Sequence, residues 1–317
     1  MDIVICTDNN YIMPSGVLFC SICENNKLEN IIFHVIADQS FSDASRQALS
    51  DIIKKYDKEI RFYQIDPSIF ASFPIGRKDQ PIHITLAAYY RLYLTELLPK
   101  ELNKVLYLDG DIIVRGSLKD LWNTDIKNYA VGVIPDLHEG SISNYNRLRY
   151  SPTLGYFNSG VLLINLQYWR ENNILNDFLS YAKENYKALK FHDQDILNFI
   201  FRNQKLRLPI KYNLQNEMLF KEPDISWEYE DELNEAIQNP IILHFTSRLK
   251  PWNKECDHPY KNEFFKYQDL TQWKGMPVQN RYKPSLKRCI KKILQKLKLI
   301  KTTPNPFRDN LKLNQEG

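Results

Sequence analysis

Glycine is scarce in this sequence, with 10 residues among 317. The chain contains neither a phosphate-binding loop of the form G-x-x-x-x-G-K-[ST] nor a dinucleotide-binding G-x-G-x-x-G segment. Both common ways of wrapping backbone amides around a phosphate are therefore excluded. A bound nucleotide must be held by other means.

Long apolar runs are also absent, since no uninterrupted stretch approaches the ~20 residues of a membrane-spanning helix. The N-terminus, Met1-Asp2-Ile3, has neither the basic start nor the apolar core of a signal peptide. Hydrophobic residues at 43% and charged residues at 25% are ordinary for a soluble protein, which excludes disorder. We therefore expect a folded cytoplasmic protein.

Cysteine occurs as an odd number, five, spread over the chain, which argues against a disulfide framework. Cys20 and Cys23 form a C-x-x-C pair, but they lie in an apolar helical pattern and no second ligand pair accompanies them. We interpret both as small buried apolar residues. A redox or zinc role is the alternative.

Acidic residues are missing from one part of the chain, because none lies between Asp269 and Asp309. Residues 281–317 hold 11 Lys/Arg and 2 Asp/Glu, a charge of +9. The whole chain has 42 basic and 38 acidic residues, so residues 1–280 keep 31 and 36, a charge of −5. The net charge of +4 thus averages an acidic body and a basic tail.

Hydrophobic periodicity predicts an α/β fold with a mostly parallel sheet, because short β-branched runs alternate with helical patterns. Ser42 is the predicted N-cap of the second helix. Strands are predicted at 3–6, 31–37, 60–65, 105–108, 112–114, 130–134, 157–165 and 241–245. Helices are predicted at 13–25, 42–56, 84–98, 166–186, 193–201 and 230–237, with a loop at 135–155.

Polar residues follow three of the predicted strands directly, where α/β sheets bind ligands. Residues 7–11 follow the first strand, Asp109 and Asp111 follow the central one, and His244 and Thr246 come at the end of the last. Two carboxylates and one imidazole fit Mn²⁺ or Mg²⁺ better than zinc, because the set is rich in oxygen and lacks a thiolate. The alternative is a polar Asp-Gly-Asp turn and a core histidine. Lys250, in the loop after His244, could neutralise a leaving phosphate.

Six segments, in this order, resemble glycosyltransferase family 8, and most closely the lipooligosaccharide α-galactosyltransferases of Gram-negative bacteria. The resemblance runs from residue 1 to about residue 300. The segments are M-D-I-V with Asp8, Asn10 and Tyr11; Y-R-L at 90–92; V-L-Y-L-D-G-D at 105–111; F-N-S-G-V-L-L-I-N at 157–165; D-Q-D-I-L-N at 193–198; and H-F-T-S-R-L-K-P-W at 244–252.

The resemblance implies one Rossmann-like domain of GT-A type at 1–280, which takes a UDP-sugar and Mn²⁺ and transfers a hexose, galactose or glucose, with retention. It assigns the metal to Asp109, Asp111 and His244. It places the acceptor near His83 and Asp136. The nucleotide sugar is assigned to Cys6, Thr7, Asp8, Asn10, Tyr11, Arg91, Asp109, Gly110, Asp111, Asn158, Asp193, Gln194, His244, Ser247 and Lys250. Ser247 replaces a glycine of close relatives.

The catalytic residues implied by the resemblance are Asp193, Gln194 and Asp195. An amide oxygen is a poor nucleophile, so we favour attack by the acceptor from the leaving-group side, with Asp193 and Gln194 orienting the sugar. Asp195 is the candidate for a double displacement. The acidic first turn of a helix is the non-catalytic interpretation of these residues.

The basic tail, residues 281–317, contains an amphipathic helical pattern at 285–301. Its apolar and basic residues take opposite sides of a helical wheel, which is typical of helices that bind an anionic membrane surface. Docking on the acidic body and binding to nucleic acid are the alternatives, and aromatic residues suited to the latter are missing from 285–301. With the resemblance, this predicts peripheral binding to the inner face of the cytoplasmic membrane and a lipopolysaccharide, lipooligosaccharide or other cell-surface glycan as acceptor.

Two other functions remain open at this stage. An L-Y-L-D-G-D segment after a strand also fits a phosphatase of the haloacid-dehalogenase type, although that motif usually lies near the N-terminus and leaves 244–250 unexplained. A sugar-nucleotide-binding, membrane-associated protein without activity is the second alternative.

Overall fold

The computed structural model describes residues 1–70, 73, 86–281, 306–308 and 311. A mixed sheet dominates this part of the chain, with seven strands in the order β3-β2-β1-β4-β7-β6-β8. Its strands are β1 Asp2–Cys6, β2 Ile32–Asp38, β3 Glu59–Ile65, β4 Lys104–Leu108, β6 Val131–Pro135, β7 Phe157–Asn165 and β8 Lys205–Arg207. A smaller sheet has the order β5-β10-β9, with β5 Ile112–Val114, β9 Leu214–Gln215 and β10 Ile242–His244.

The large sheet is parallel except at β7, which runs antiparallel to both β4 and β6. All nine residues of β7 are buried. Apolar side chains on both faces of the sheet form two large cores, which explains why its central strands have continuous apolar sequences. The α/β class and the mostly parallel sheet expected from the sequence are confirmed.

Helices cover the sheet and connect its strands. Ser42 caps the second helix as predicted, because its hydroxyl accepts a hydrogen bond from the amide of Ser45 at 3.1 Å. The helices of the described residues are α1 Ile12–Asn25, α2 Asp43–Lys54, α3 Ala87–Tyr90, α4 Leu94–Leu97, α5 Lys119–Asn123, α6 Ile142–Leu148, α7 Leu166–Glu171, α8 Ile174–Asn185, α9 His192–Ile200, α10 Glu230–Gln238 and α11 Lys261–Gln268. Within these residues, no helix is both long and apolar enough to cross a membrane.

Three predicted elements differ from the structure. Residues 135–155 are not all loop, because α6 forms inside them and buries Tyr145 and Leu148. The helix predicted at 166–186 is two helices, and the break lies at Asn173, whose φ of 53° is left-handed. The described part of the helix predicted at 84–98 consists of α3, a 3-10 turn and α4.

The last predicted strand lies in the small sheet instead of the large one. In β10, His244 pairs with Ile112 of β5, which follows Asp111 directly in the chain. This antiparallel pairing brings the histidine to the two acids, although they follow β4 of the large sheet. The two carboxylates and the imidazole therefore lie close together as expected, but the histidine comes from the small sheet and not from an edge of the large one.

Two parts of the basic tail, at residue 281 and at residue 307, contact the body of the protein. The amide of Arg281 donates to Glu255 at 3.0 Å. Further along, Phe307 is 4% exposed and forms an isolated antiparallel bridge with Phe220. The expected boundary at residue 280 is therefore crossed by these contacts. The helix predicted at 285–301 lies outside the described residues.

Candidate active site

A cavity of about 600 Å³ opens beside the carboxyl ends of β1 and β4. This volume is in the usual range for small-molecule sites. Fourteen of the fifteen residues expected to bind a nucleotide sugar line it. They are Cys6, Thr7, Asp8, Tyr11, Arg91, Asp109, Gly110, Asp111, Asn158, Asp193, Gln194, His244, Ser247 and Lys250. Asn10, the fifteenth, is exposed and does not line the cavity.

Two carboxylates and one imidazole converge on this cavity. Ligand atoms of Asp109, Asp111 and His244 lie within 4.8 Å of one another. His244 Nε2 is 3.2 Å from Asp111 Oδ1 and 3.8 Å from Asp109 Oδ2. Oxygen ligands with one imidazole are a donor set that suits a hard divalent cation, so the residues fit the metal expected from the sequence.

Each carboxylate uses one oxygen for protein contacts and turns the other towards His244. Asp109 Oδ1 accepts from Arg91 Nη2 and from the Tyr107 hydroxyl, both at 2.8 Å. Asp111 Oδ2 accepts from Lys250 Nζ at 2.6 Å. Burial opposes the charge on Asp111, but Lys250 and His244 hold the pKa of its carboxyl below the usual range. An ionised Asp111 is the form that a metal requires.

Gly160 of β7 makes the close packing of this centre possible. A Cβ at this position would lie 2.2 Å from His244 Cε1 and 2.8 Å from Asp109 Oδ2. Neither atom can move away without leaving the cluster. The glycine therefore lets the imidazole lie directly against the strand.

Side-chain amides form the wall next to the candidate metal ligands. Gln194 Oε1 accepts from the Ser159 amide at 3.0 Å, and Gln194 Nε2 donates to Asp136 Oδ2 at 3.2 Å. Asn158 Nδ2 donates to the same oxygen at 3.1 Å. Asp136 itself is buried and does not line the cavity, and it contacts Asn158 and Gln194 from behind this wall.

Asp193, at the start of α9, is a buried residue in the lining of the cavity. Its Oδ2 lies 3.2 Å from Arg91 Nε, but this ion pair lacks hydrogen-bond geometry and the oxygen has no other hydrogen bond. Burial raises the pKa of Asp193, and the charge of Arg91 opposes this. The charge of Arg91 therefore offsets the missing hydrogen bond at this buried oxygen.

The end of β1 shapes the opposite wall. Asp8 caps a 3-10 turn, since its Oδ1 accepts from the amides of Asn10 and Tyr11 at 2.8 and 3.1 Å. Burial raises the pKa of the Cys6 thiol, which keeps it protonated in the wall. Tyr11 packs edge-on against Trp252, with 5.9 Å between ring centroids. Asn10 thus shapes the turn through its backbone amide.

Several lining residues went unassigned in the sequence analysis. Arg248 and Arg281 add positive charge near Lys250, and Trp252 adds an aromatic wall. The sequence could have indicated two of them, since Arg248 and Trp252 belong to the 244–252 segment quoted for the family resemblance. Asn213 was missed entirely. It is fully buried, and its Oδ1 lies 2.9 Å from His244 Nδ1.

Asp195 lies away from the cavity. It is fully buried, and Arg147 binds both of its oxygens, at 2.9 and 2.5 Å. Tyr156 donates to Oδ1, and the amides of Lys190 and Phe191 donate to Oδ2. The carboxylate has no free lone pair facing a substrate, so the structure gives it a structural role in place of the nucleophilic one. His83 lies outside the described residues.

Residues 2–256 match the sequence pattern of the family described as glycosyl transferase family 8. This chain belongs to glycosyl transferase family 8. The resemblance noted from the six segments is thereby confirmed. Family membership decides against the phosphatase interpretation of the L-Y-L-D-G-D segment and against a protein without activity.

Two similar proteins are matched over most of their length. General stress protein A of Bacillus subtilis is 31% identical over 286 residues, which cover 88% of this chain and 98% of that protein. Lipopolysaccharide 1,2-glucosyltransferase of Escherichia coli is 31% identical over 283 residues, covering 87% and 80%.

A solved structure shares the fold as well. The crystal structure of galactosyltransferase LgtC in complex with donor and acceptor sugar analogs superposes with a TM-score of 0.77 at 29% identity. The match covers 86% of this chain and 96% of that one. The single α/β domain of GT-A type expected from the resemblance is therefore confirmed.

Proposed function

We propose that this chain is a retaining hexosyltransferase that moves galactose or glucose from a UDP-sugar to a saccharide acceptor, with Mn²⁺ or Mg²⁺ bound by Asp109, Asp111 and His244. The convergence of these three side chains within 4.8 Å, in the wall of a 600 Å³ cavity, is the observation that carries the proposal. The named activities of its relatives support the same reaction.

The donor would lie across the cavity from β1 to α9. Asp8 and Tyr11 at the end of β1 would take the nucleoside, and Arg91, Asp193 and Gln194 the sugar. The bound cation would supply Lewis-acid stabilisation of the negative charge that develops on the leaving diphosphate. Lys250 Nζ, now paired with Asp111 Oδ2 at 2.6 Å, would add a second positive charge there.

Retention is best explained by attack of the acceptor from the leaving-group side. Gln194 has both ends of its amide engaged, by the Ser159 amide and by Asp136, so it would orient the sugar and not attack it. The occupied oxygens of Asp195 argue in the same direction. A diphosphate oxygen of the departing UDP would then accept the proton of the acceptor hydroxyl.

The acceptor class follows from the relatives. Lipopolysaccharide glucosyl- and galactosyltransferases of Escherichia coli and Salmonella typhimurium match this chain over 80 to 87% of its length. We infer that the acceptor is a lipopolysaccharide, a lipooligosaccharide or another cell-surface glycan. Peripheral binding to the inner face of the cytoplasmic membrane through 285–301 belongs to the same proposal.

A thermal-shift screen tests the donor assignment. We expect UDP-galactose or UDP-glucose, with Mn²⁺, to stabilise the full chain more than GDP-mannose does, because ligands that bind only the native state raise its stability. The selected donor, incubated with a saccharide acceptor, is expected to give an α-linked product by NMR. A β-linked product would contradict retention, and equal shifts with GDP-mannose would contradict the nucleotide assignment.

A further inference from the structure

The buried amides beside the metal ligands are oriented by backbone amides. The Gly160 amide donates to Asn158 Oδ1 at 3.0 Å, which fixes this atom as the oxygen of the side chain. The Asn158 nitrogen then faces Asp136 Oδ2, a suitable acceptor, at 3.1 Å. Because a backbone N–H only donates, the orientation of Asn158 follows from the fold.

Asn213 continues this series towards the metal centre. The atom of Asn213 that contacts Asn158 Oδ1, at 2.9 Å, must be the nitrogen, because Asn158 Oδ1 is an acceptor. The Asn213 oxygen therefore faces His244 Nδ1, at 2.9 Å. All these side chains are buried, and Asn213 is 0% exposed, so water does not compete for the contacts.

An amide oxygen opposite Nδ1 selects one tautomer of the imidazole. Because an amide oxygen only accepts, His244 carries a proton on Nδ1, which leaves Nε2, the nitrogen that faces Asp109 and Asp111, as the one that would bind the metal. A metal ligand needs a free lone pair, and a proton on Nε2 would block it. A hydrogen bond to the second ring nitrogen also fixes the orientation of the ring.

We propose that Asn213 is a positioning residue that fixes the tautomer and the orientation of His244 for metal binding. The series of buried amides Asn158 and Asn213 also joins the sugar-side wall, through Asp136 and Gln194, to the metal centre. The inference rests on the proposed metal site. It extends that site with a residue that touches neither the metal nor the substrate.

Titration of the full chain with Mn²⁺, followed by electron paramagnetic resonance of the free ion, tests this role without any turnover. Asn213→Leu removes the acceptor and the donor while nearly conserving shape, and we expect Mn²⁺ affinity to fall about 10- to 100-fold. Asn213→Asp keeps an oxygen opposite Nδ1, so its affinity should lie between those of the wild type and Asn213→Leu.

Nitrogen NMR of the chain loaded with diamagnetic Mg²⁺ reads the tautomer directly. We expect a protonated Nδ1 and an unprotonated Nε2 for His244 in the wild type and loss of this state in Asn213→Leu, with the signal assigned through His244→Gln. If Asn213→Leu fails to fold, Asn213→Ala, which also removes the acceptor, replaces it in both measurements. Asn26→Leu is the matched control, because Asn26 is a buried asparagine with three hydrogen bonds at the C-terminal end of α1. It should lose stability but keep its Mn²⁺ affinity.

The outcomes separate the two proposals. Equal Mn²⁺ binding by the wild type and His244→Ala would overturn the metal site itself. If the Mn²⁺ affinity of Asn213→Leu is within twofold of the wild-type value and the tautomer of His244 is unchanged, the role of Asn213 is overturned while the metal site stands.

Discussion

Gly160 shows at the residue scale how one missing side chain permits the close packing of the candidate metal centre. Its position on β7 lies against both His244 and Asp109, where a methyl group would come within 2.2 Å of the imidazole. We expect Gly160→Ala to displace the ring and to lower Mn²⁺ affinity by at least about 10-fold, measured by the same titration.

Gly140→Ala provides the control for this change. A Cβ at residue 140 meets only Asp224 Oδ1, at 3.8 Å, which is ordinary contact. Affinity in this variant should match the wild type. A Gly160→Ala protein that binds Mn²⁺ as the wild type does would contradict the packing argument.

His258 links stability to pH. It is 3% exposed, and burial lowers its pKa to about 3, from an ordinary value of about 6.5. Between these values the unfolded chain binds a proton at this residue and the folded chain does not, so stability falls as the pH drops below about 6.5. At pH 5 the loss amounts to about 2 kcal/mol of unfolding free energy.

Urea denaturation at pH 7.5 and pH 5 measures this loss. His258→Asn keeps an acceptor for the Tyr260 amide, which now bonds His258 Nδ1 at 3.1 Å, and we expect a smaller difference between the two pH values. His138→Asn, at a partly exposed histidine, should leave the difference unchanged. An undiminished difference in His258→Asn would refute the assignment.

At the scale of elements, periodicity predicted most strands and the capped helix α2, because these have continuous apolar runs or a clear polar face. The sequence offers no such signal for α6, which lies in a polar stretch and buries only a few residues. The assignment of β10 to a separate sheet depends on its pairing with β5, over a hundred residues earlier in the chain. Local pattern carries no information about such a partner.

In the candidate site, too, local sequence patterns predicted some residues, while others depend on long-range contacts. Motif residues at strand ends were found, because their position in the fold is readable from the sequence. Asn213 could not be found from the sequence, since it lies in an aperiodic stretch 31 residues before His244. Only the side-chain geometry shows its contact with the imidazole. Asp195 belongs to a recognisable segment, yet its buried pairing with Arg147 is a long-range contact. Residue type alone cannot separate it from Asp193.

Residues 306–308 pack against the body of the protein, and we expect this contact to contribute to stability. Phe307 packs against Phe220, with 5.3 Å between ring centroids, and Arg308 donates to the Phe220 carbonyl at 3.1 Å. Loss of a buried phenylalanine typically costs 3–5 kcal/mol. For this peripheral contact we expect Phe307→Ala to lower the free energy of unfolding by about 3 kcal/mol in urea.

Leu270→Ala is the matched control, because Leu270 is a large apolar side chain that is 49% exposed. Its effect should stay within about 0.5 kcal/mol. A Phe307→Ala protein as stable as this control would show that the segment is not held in solution.

At the scale of the whole molecule, the division of charge between body and tail predicts membrane binding. Replacing five basic residues of the tail with Gln should release the full chain from anionic vesicles, because each basic residue near such a surface contributes about 1 kcal/mol. The positions are Lys287, Arg288, Lys291, Lys292 and Lys298. This change leaves residues 306–308 in place, which truncation at residue 280 would remove.

Vesicle sedimentation measures this binding. The control neutralises five exposed lysines of the body, which are Lys54, Lys55, Lys127, Lys183 and Lys274. It should bind vesicles nearly as the wild type does. Equal binding by the tail variant and the wild type would contradict a membrane role for 285–301.

The assignment of a metal-dependent transferase site depends most directly on Asp111. The decisive measurement is UDP release from the selected UDP-sugar, by the wild type and Asp111→Asn, over a range of Mn²⁺ concentrations. We predict saturable, Mn²⁺-dependent release by the wild type and a drop of about 1,000-fold in Asp111→Asn, because one ligand charge and the partner of Lys250 are lost. Unchanged release by Asp111→Asn would contradict the account.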